Sequence, residues 1–219
     1  FTSVKKRDDG FFEILTESGD IFRSPTVILT AGGTPVKLGI PGELEYAGKG
    51  VSYCAVCDGA FFRGHTIAVV GGGDAAVEEA DYLTRYAEKV YLIHRRDELR
   101  ASRIIQERAF ANPKIEFVWN TAAERAVGDD QGLLHHLELK NLNTGERRDL
   151  AVTGLFIFVG FKPNTGILAD HVEHDIRPLP ACRFQRASDE VLFLVVDRDV
   201  GAQRSACRAF LRGSRRHDD

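Results

Sequence analysis

Residues 66–93 restrict the possible folds of this chain more than any other stretch. Thr66-Ile67-Ala68-Val69-Val70 is a β-branched apolar run of the kind buried on both faces of a parallel sheet. It leads directly into Gly71-Gly72-Gly73-Asp74-Ala75-Ala76, a G-x-G-x-x-A pattern. Behind it Val77, Ala80, Leu83 and Ala87 recur at helical spacing, with Glu78, Glu79, Asp81 and Arg85 on other faces. That periodicity predicts a helix closing near Glu88-Lys89, and Val90-Tyr91-Leu92-Ile93 is the next strand. Together they form a βαβ unit of about 30 residues. A glycine-rich hexapeptide alone is more often merely a turn. A buried strand before it and an amphipathic helix after it supply the context that dinucleotide binding demands. Gly71 permits the tight turn, Gly73 lets the backbone approach a pyrophosphate, and Ala76 keeps helix and strand close. The free N–H groups and positive dipole end of the helix favour the phosphates.

The residues after the second strand indicate which dinucleotide. An NAD site commonly places an acid about 20 residues beyond the glycines to hold the ribose 2′-OH. This chain has His94-Arg95-Arg96 there, followed by Arg100. An acid would repel a 2′-phosphate, whereas a guanidinium grips it with charge-assisted hydrogen bonds. Adjacent arginines are often only a solvated face, but their place at a strand end favours NADPH.

Cys54-Ala55-Val56-Cys57-Asp58-Gly59 precedes the βαβ unit. Cysteines at this spacing can form a readily reduced disulfide. Zinc is the rival reading. It needs four ligands, and no second C-x-x-C exists, Cys182 and Cys207 lie far apart, and His135-His136 would point to opposite faces of a strand. No metal is expected. Exchange needs a proton for the departing thiolate, and Asp58 could supply one if burial keeps it protonated. Alternatively Asp58 only caps or turns the chain.

Elsewhere Phe11–Arg23 reads as two short strands joined at Ser18-Gly19-Asp20. Thr26–Gly33 reads as a buried strand, after which Pro35 and Gly39-Ile40-Pro41-Gly42 break regular structure. A helix is expected from Ser102 to Ala111, ended by Asn112-Pro113. Strands are expected at Ile115–Val118, Leu133–Leu139 and Leu155–Val159, with a hairpin turn at Asn143-Thr144-Gly145. Residues 175–219 contain nine arginines and no lysine, although the preceding part has eight lysines. Within them only Val191–Val196 is a clear apolar run.

A net charge of -3 argues against a broadly basic nucleic-acid binder. No run of about 18 apolar residues suggests a membrane-spanning helix. The N-terminus lacks a signal-peptide pattern and begins with Phe1, as if part-way through a longer protein.

A redox CxxC beside an NADPH-type βαβ unit is far more specific than either motif alone. In this combination the chain resembles the low-molecular-weight, bacterial-type thioredoxin reductases. The residues that carry the resemblance are 54–59, 69–80, 92–97 and Phe158-Val159-Gly160-Phe161-Lys162-Pro163-Asn164-Thr165. It runs from about Thr26 to Leu168. It implies an α/β flavoprotein with two dinucleotide-binding domains, a Rossmann-like NADPH-binding domain inserted in an FAD-binding domain that is incomplete here. Electrons would pass from NADPH through FAD to Cys54–Cys57 and on to thioredoxin. Cys57 would face the flavin, Cys54 would exchange with the partner, and Asp58 would serve as acid/base. Gly71, Gly72, Gly73, Asp74, Ala75, Ala76, Glu78, His94, Arg95, Arg96 and Arg100 would hold NADPH, with Ala31 and Gly32 beside the flavin. A homodimer, a rotating NADPH domain and a cytoplasmic location are also implied.

The expected division is 1–35 as a remnant of the FAD-binding domain, 36–165 as the NADPH-binding domain with its CxxC, and 166–219 as a divergent tail. A second glycine-rich βαβ unit and the family's Gly-Asp segment are missing. Truncation and a reading-frame change would account for both. The alternatives are a non-catalytic NADPH-binding fragment, a redox sensor, or the reductase subunit of a peroxide-reducing system.

Overall fold

The structure, a computed structural model, describes residues 2–27, 32–164, 184–187 and 191–194. It divides into two compact units, one of residues 31–164 and one of residues 1–30 and 165–219.

In the second of these, β1 (Ser3–Lys6), β2 (Phe12–Leu15) and β3 (Ile21–Ser24) form an antiparallel sheet in chain order. The two strands expected between Phe11 and Arg23 are β2 and β3. β1 was not anticipated, because four residues with two lysines carry no clear alternation. Far along the chain, β14 (Phe184–Ala187) and β15 (Val191–Leu194) pair antiparallel, so residues 191–194 of the apolar run form a paired strand.

The unit of residues 31–164 is built in three layers. Its middle is a parallel sheet of β5 (Val51–Ser52), β6 (Thr66–Gly71), β7 (Lys89–Ile93), β8 (Ile115–Val118) and β12 (Gly154–Phe158), in the order β5-β12-β6-β7-β8. The strand pairs are all parallel. One face carries α2 (Asp74–Leu83) and α3 (Arg103–Ala111), the crossovers that parallel pairing requires. The other carries an antiparallel meander of β9 (Thr121–Gly128), β10 (Leu134–Asn141) and β11 (Arg147–Ala151).

Alternation along the strands sorts the core. Ile67 and Val69 join Ala76, Val77, Ala80 and Leu83 on the helical side. Ala68 and Val70 join Leu137, Leu139 and Ile157 on the meander side. A strand with neighbours on both faces has no polar side, which is why β6 reads as one apolar run. A short ribbon of β4 (Gly33–Pro35) and β13 (Phe161–Pro163) completes the unit.

Pro35 does not break the chain but ends β4, paired with Phe161 on a two-stranded ribbon where a missing N–H costs little. Of the strand expected at 26–33, residues 28–31 lie outside the described residues, and Thr26 and Val27 belong to no element. α2 stops at Leu83 rather than near Glu88. Thr84, Arg85 and Tyr86 donate instead to the carbonyls of Asp81, Tyr82 and Leu83, a tightened last turn. The Thr84 hydroxyl adds a bond to the Asp81 carbonyl, and the Lys114 ammonium caps the carbonyls of Thr84 and Ala87. The hairpin turn expected at Asn143-Thr144-Gly145 joins β10 to β11, whereas β9 and the extent of β11 carry no signal, because Thr121-Ala122-Ala123-Glu124-Arg125 and Arg147-Arg148-Asp149 look like surface sequence.

His135 and His136 do not point apart. A bulge between Leu134 and His136 turns the rings together, with their Nδ1 atoms 3.1 Å apart. No group of three or more potential ligands able to hold a metal occurs among the described residues.

Candidate functional site

Gly71 closes β6 with φ +157°, and a Cβ built there would lie 2.4 Å from the Ala76 Cβ and 2.5 Å from the Phe158 carbonyl oxygen. Helix and strand touch at this point. At Gly73, the N-cap of α2, an added Cβ would meet nothing within 4 Å. The strand therefore ends in a tight corner, and the first turn of a ten-residue helix faces open space. Both conditions suit a pyrophosphate.

Gly72 has a different partner. A Cβ there would fall 2.2 Å from the His94 ring, while its carbonyl accepts the N–H groups of Arg100 (2.7 Å) and Ala101 (3.2 Å). Asp74, exposed at the start of α2, accepts the Ser102 N–H at 2.5 Å. The glycine turn and segment 94–102 are thus braced against each other, a link that spacing alone did not reveal. Arg95, Arg96 and Arg100 are exposed, and no ion pair engages them among the described residues. Ala75 and Glu78 are half-buried on α2, Ala76 fully buried. Gly32 adopts φ +62°, and Ala31 lies outside the described residues.

His94 differs from its arginine neighbours. It is 6% exposed, its Nε2 finds no partner among the described residues, and its ring lies edge-on to Trp119. Burial holds its pKa below the ordinary 6.5, and the charges of Arg100 and Arg96 act the same way. The unfolded chain therefore takes up the proton first, and stability falls as pH drops through about 6.5. Urea unfolding of the wild type at pH 7.5 and pH 5 should show this loss. The His94→Asn chain should lose less between the same two pH values; an equal loss would contradict a buried neutral imidazole.

The cysteine pair stands on α1 (Ala55–Asp58), followed by a 3-10 turn, Gly59–Phe62. Cys54 is the N-cap of α1, and its Sγ accepts the Cys57 N–H at 3.2 Å. The two cysteines form a disulfide with Cα atoms 5.3 Å apart. Cys57 is exposed and Cys54 half-buried. Ala55, 1% exposed, anchors the turn in the core. Gly59 seats it on α2, because a Cβ there would lie 2.9 Å from Leu83.

Asp58 accepts the Ser52 hydroxyl proton at 2.6 Å, and the same hydroxyl accepts the Cys54 N–H at 3.1 Å. Ser52, 5% exposed, thus connects the carboxylate to the first cysteine. Neither it nor Tyr53 was singled out from the sequence, since a Ser two residues before a Cys carries no signal. The structure gathers the predicted residues into two groups, 54–58 and 71–100. No hydrogen bond or ion pair joins Cys54, Cys57 or Asp58 to the second group.

Comparison with known proteins agrees with this arrangement. A family model described as pyridine nucleotide-disulphide oxidoreductase matches residues 3–193. The chain is 49% identical over 158 residues to a thioredoxin reductase of Streptomyces coelicolor, covering 72% of this chain and 48% of that protein. It is 51% identical over 157 residues to one of Helicobacter pylori, covering 72% and 50% respectively. The crystal structure of thioredoxin reductase from Lactococcus lactis is similar with TM-score 0.76 and 41% identity, over 88% of this chain and 63% of that one. The corresponding T. acidophilum enzyme matches with TM-score 0.76 and 30% identity, over 88% and 63%. The chain spans about half the length of the curated relatives it matches.

Proposed function

The chain belongs to the pyridine nucleotide-disulphide oxidoreductases, and from that premise we propose that it is part of an NADPH-dependent thioredoxin-disulfide reductase. The observation that supports this most is a disulfide between Cys54 and Cys57 on the same compact unit as the strand–glycine turn–helix of residues 66–83. Reductases of this type use FAD and NADPH. We read residues 1–35 as FAD-domain remnant, 36–165 as the NADPH domain and 166–219 as tail.

The residues fit NADPH: Gly71 and Gly73 leave the turn clear, the α2 N-terminus would hold the pyrophosphate, and Arg95, Arg96 and Arg100 would offer guanidinium groups to the 2′-phosphate. His94 and Asp74 support the turn from behind rather than reaching outward. FAD is a poorer fit to what is described. The strand–glycine turn–helix at 66–83 would be used by NADPH, and a second such unit is not found among the described residues. When bound, the nicotinamide would supply two electrons and a proton as hydride.

The chain's own groups perform the exchange. Two electrons break the Cys54–Cys57 bond, and two protons complete the thiols. The Cys54 thiolate, aided by the N–H of Cys57, attacks the thioredoxin disulfide and expels one of its sulfurs as thiolate. Cys57 then attacks the mixed disulfide, restoring Cys54–Cys57 and releasing reduced thioredoxin. Asp58, held by Ser52, is placed to carry the proton of the departing sulfur. Thioredoxin as partner, a homodimer and a cytoplasmic location belong to the same proposal. Among the described residues no helix is long and apolar enough to cross a membrane.

A trapping experiment tests the central step without any cofactor. The reduced Cys57→Ser chain mixed with oxidised thioredoxin should accumulate a covalent complex through Cys54, because the resolving thiol is absent. Wild-type chain should show at most a tenth as much. If glutathione disulfide modifies Cys54 readily but no thioredoxin complex forms, the proposed partner is wrong.

A further inference from the structure

Glu43 is the one buried acidic side chain among the described residues, 1% exposed. A carboxylate in that setting needs several donors, and Glu43 has three. Its Oε1 accepts the Leu38 N–H at 3.1 Å and the Tyr53 hydroxyl at 2.7 Å, and its Oε2 accepts the Gly39 N–H at 2.7 Å. The donors come from two separate segments. Leu38 and Gly39 lie on the connection leaving β4, whereas Tyr53 immediately precedes Cys54. The Lys37 ammonium, on that same connection, stands 5.7 Å from the centre of the Tyr53 ring, a second tie between the two. Burial first, and then the bond to Glu43, raise the Tyr53 pKa well above the ordinary phenol value. The hydroxyl therefore remains a donor throughout the neutral range.

We infer that Glu43 and Tyr53 are positioning residues of the disulfide, clamping the connection after β4 to the residue before Cys54 and thereby keeping Cys54 partly covered. The Cys54 N–H is held by the Ser52 hydroxyl, and the residue before it, Tyr53, is anchored on Glu43. Cys57, the third residue of α1, is exposed, and its N–H is tied to the Cys54 sulfur rather than to the Glu43–Tyr53 clamp. A thiolate arriving from solvent therefore reaches Cys57 first. It forms a bond to the Cys57 sulfur and expels Cys54 as thiolate, which then takes a proton. Releasing the clamp lets residues 53 and 54 move outward, and the attack is then shared with Cys54. Displacement of the connection after β4 would do the same, so its position governs access to the sulfur assigned above to exchange with thioredoxin.

The inference rests on that exchange role for its meaning, but its test uses neither nucleotide nor thioredoxin. Oxidised full-length chain is exposed briefly to glutathione, quenched in acid and alkylated, and the glutathione adducts on Cys54 and Cys57 are counted by peptide fragmentation. Wild type should carry most adduct on Cys57. Tyr53→Phe keeps the ring and removes only the hydroxyl, and should raise the Cys54-to-Cys57 ratio about tenfold, the lower end of what one hydrogen bond to a carboxylate contributes. Its urea midpoint should fall only modestly, because Glu43 keeps two of its three donors. Glu43→Gln presents one carbonyl oxygen to three donors and should shift the ratio the same way. The double variant should exceed neither single by much, because both break one clamp. An unchanged ratio in folded Tyr53→Phe overturns the inference, as do fully additive shifts. Trapped thioredoxin with an unchanged ratio would defeat the clamp alone, and a shifted ratio without trapping would defeat only the partner.

Discussion

Alanine at position 71 is expected to destabilise the chain by roughly 3 kcal/mol and to remove measurable nucleotide binding. The added Cβ would lie 2.5 Å from the Phe158 carbonyl oxygen and 2.4 Å from the Ala76 Cβ. Neither can swing aside as a long side chain would. Phe158 is fixed opposite Gly71 in the parallel β6–β12 pair, and Ala76, fully buried, sits in the first turns of α2. Relief requires α2 to move off the sheet, which opens the core around Val69, Val77 and Ala80 and tilts the helix N-terminus from the phosphates. Urea unfolding and an NADPH titration on the same preparation measure both effects. A loss below about 1 kcal/mol with binding intact would show that strand and helix are not held together at this glycine.

The paired change Arg95→Ala and Arg96→Ala should act in the opposite manner, with little effect on stability and a large one on selectivity. Both side chains are exposed, so unfolding should move by no more than about 0.5 kcal/mol. A charge-assisted bond to a phosphate contributes about 1.5–3 kcal/mol, less when solvent screens it. Losing two partly screened contacts should weaken NADPH binding about 100-fold. NADH, which has no 2′-phosphate, should bind the variant about as well as the wild type. Calorimetric titration with both coenzymes decides the matter. Equal weakening for the two would mean that the arginines hold the pyrophosphate or only the fold.

Legibility of this protein follows the range of the interaction involved. Thr66–Gly71 and its helix could be read directly, since burial on both faces of β6 and the helical recurrence of Val77, Ala80 and Leu83 are local patterns. The end of α2 could not. Ala87 is buried as its spacing suggested, yet the chain reaches it through a tightened turn capped by Lys114, a residue 27 positions away. The meander was half legible. β10 carries alternating leucines, whereas β9 and β11 are strands because they flank it and because Arg147 reaches Glu124 across the sheet. The residues proposed for the nucleotide were legible from local patterns, but the contacts among them were not. His94 reads like part of the basic cluster and stands instead behind Gly72.

The amino-acid sequence by itself determined the βαβ unit, the disulfide spacing and the basic strand end, because each depends on residues within a turn or one element of one another. Only the tertiary structure decided that Gly72 must stay small because of His94, that Asp74 faces Ser102, and that Glu43 ties the connection after β4 to Tyr53. These are contacts between positions ten to thirty residues apart, or between loops. A side chain's periodicity states that it will be buried, but burial alone does not name the group it will meet. That choice is made when the layers close, where every buried polar atom has to find its partner.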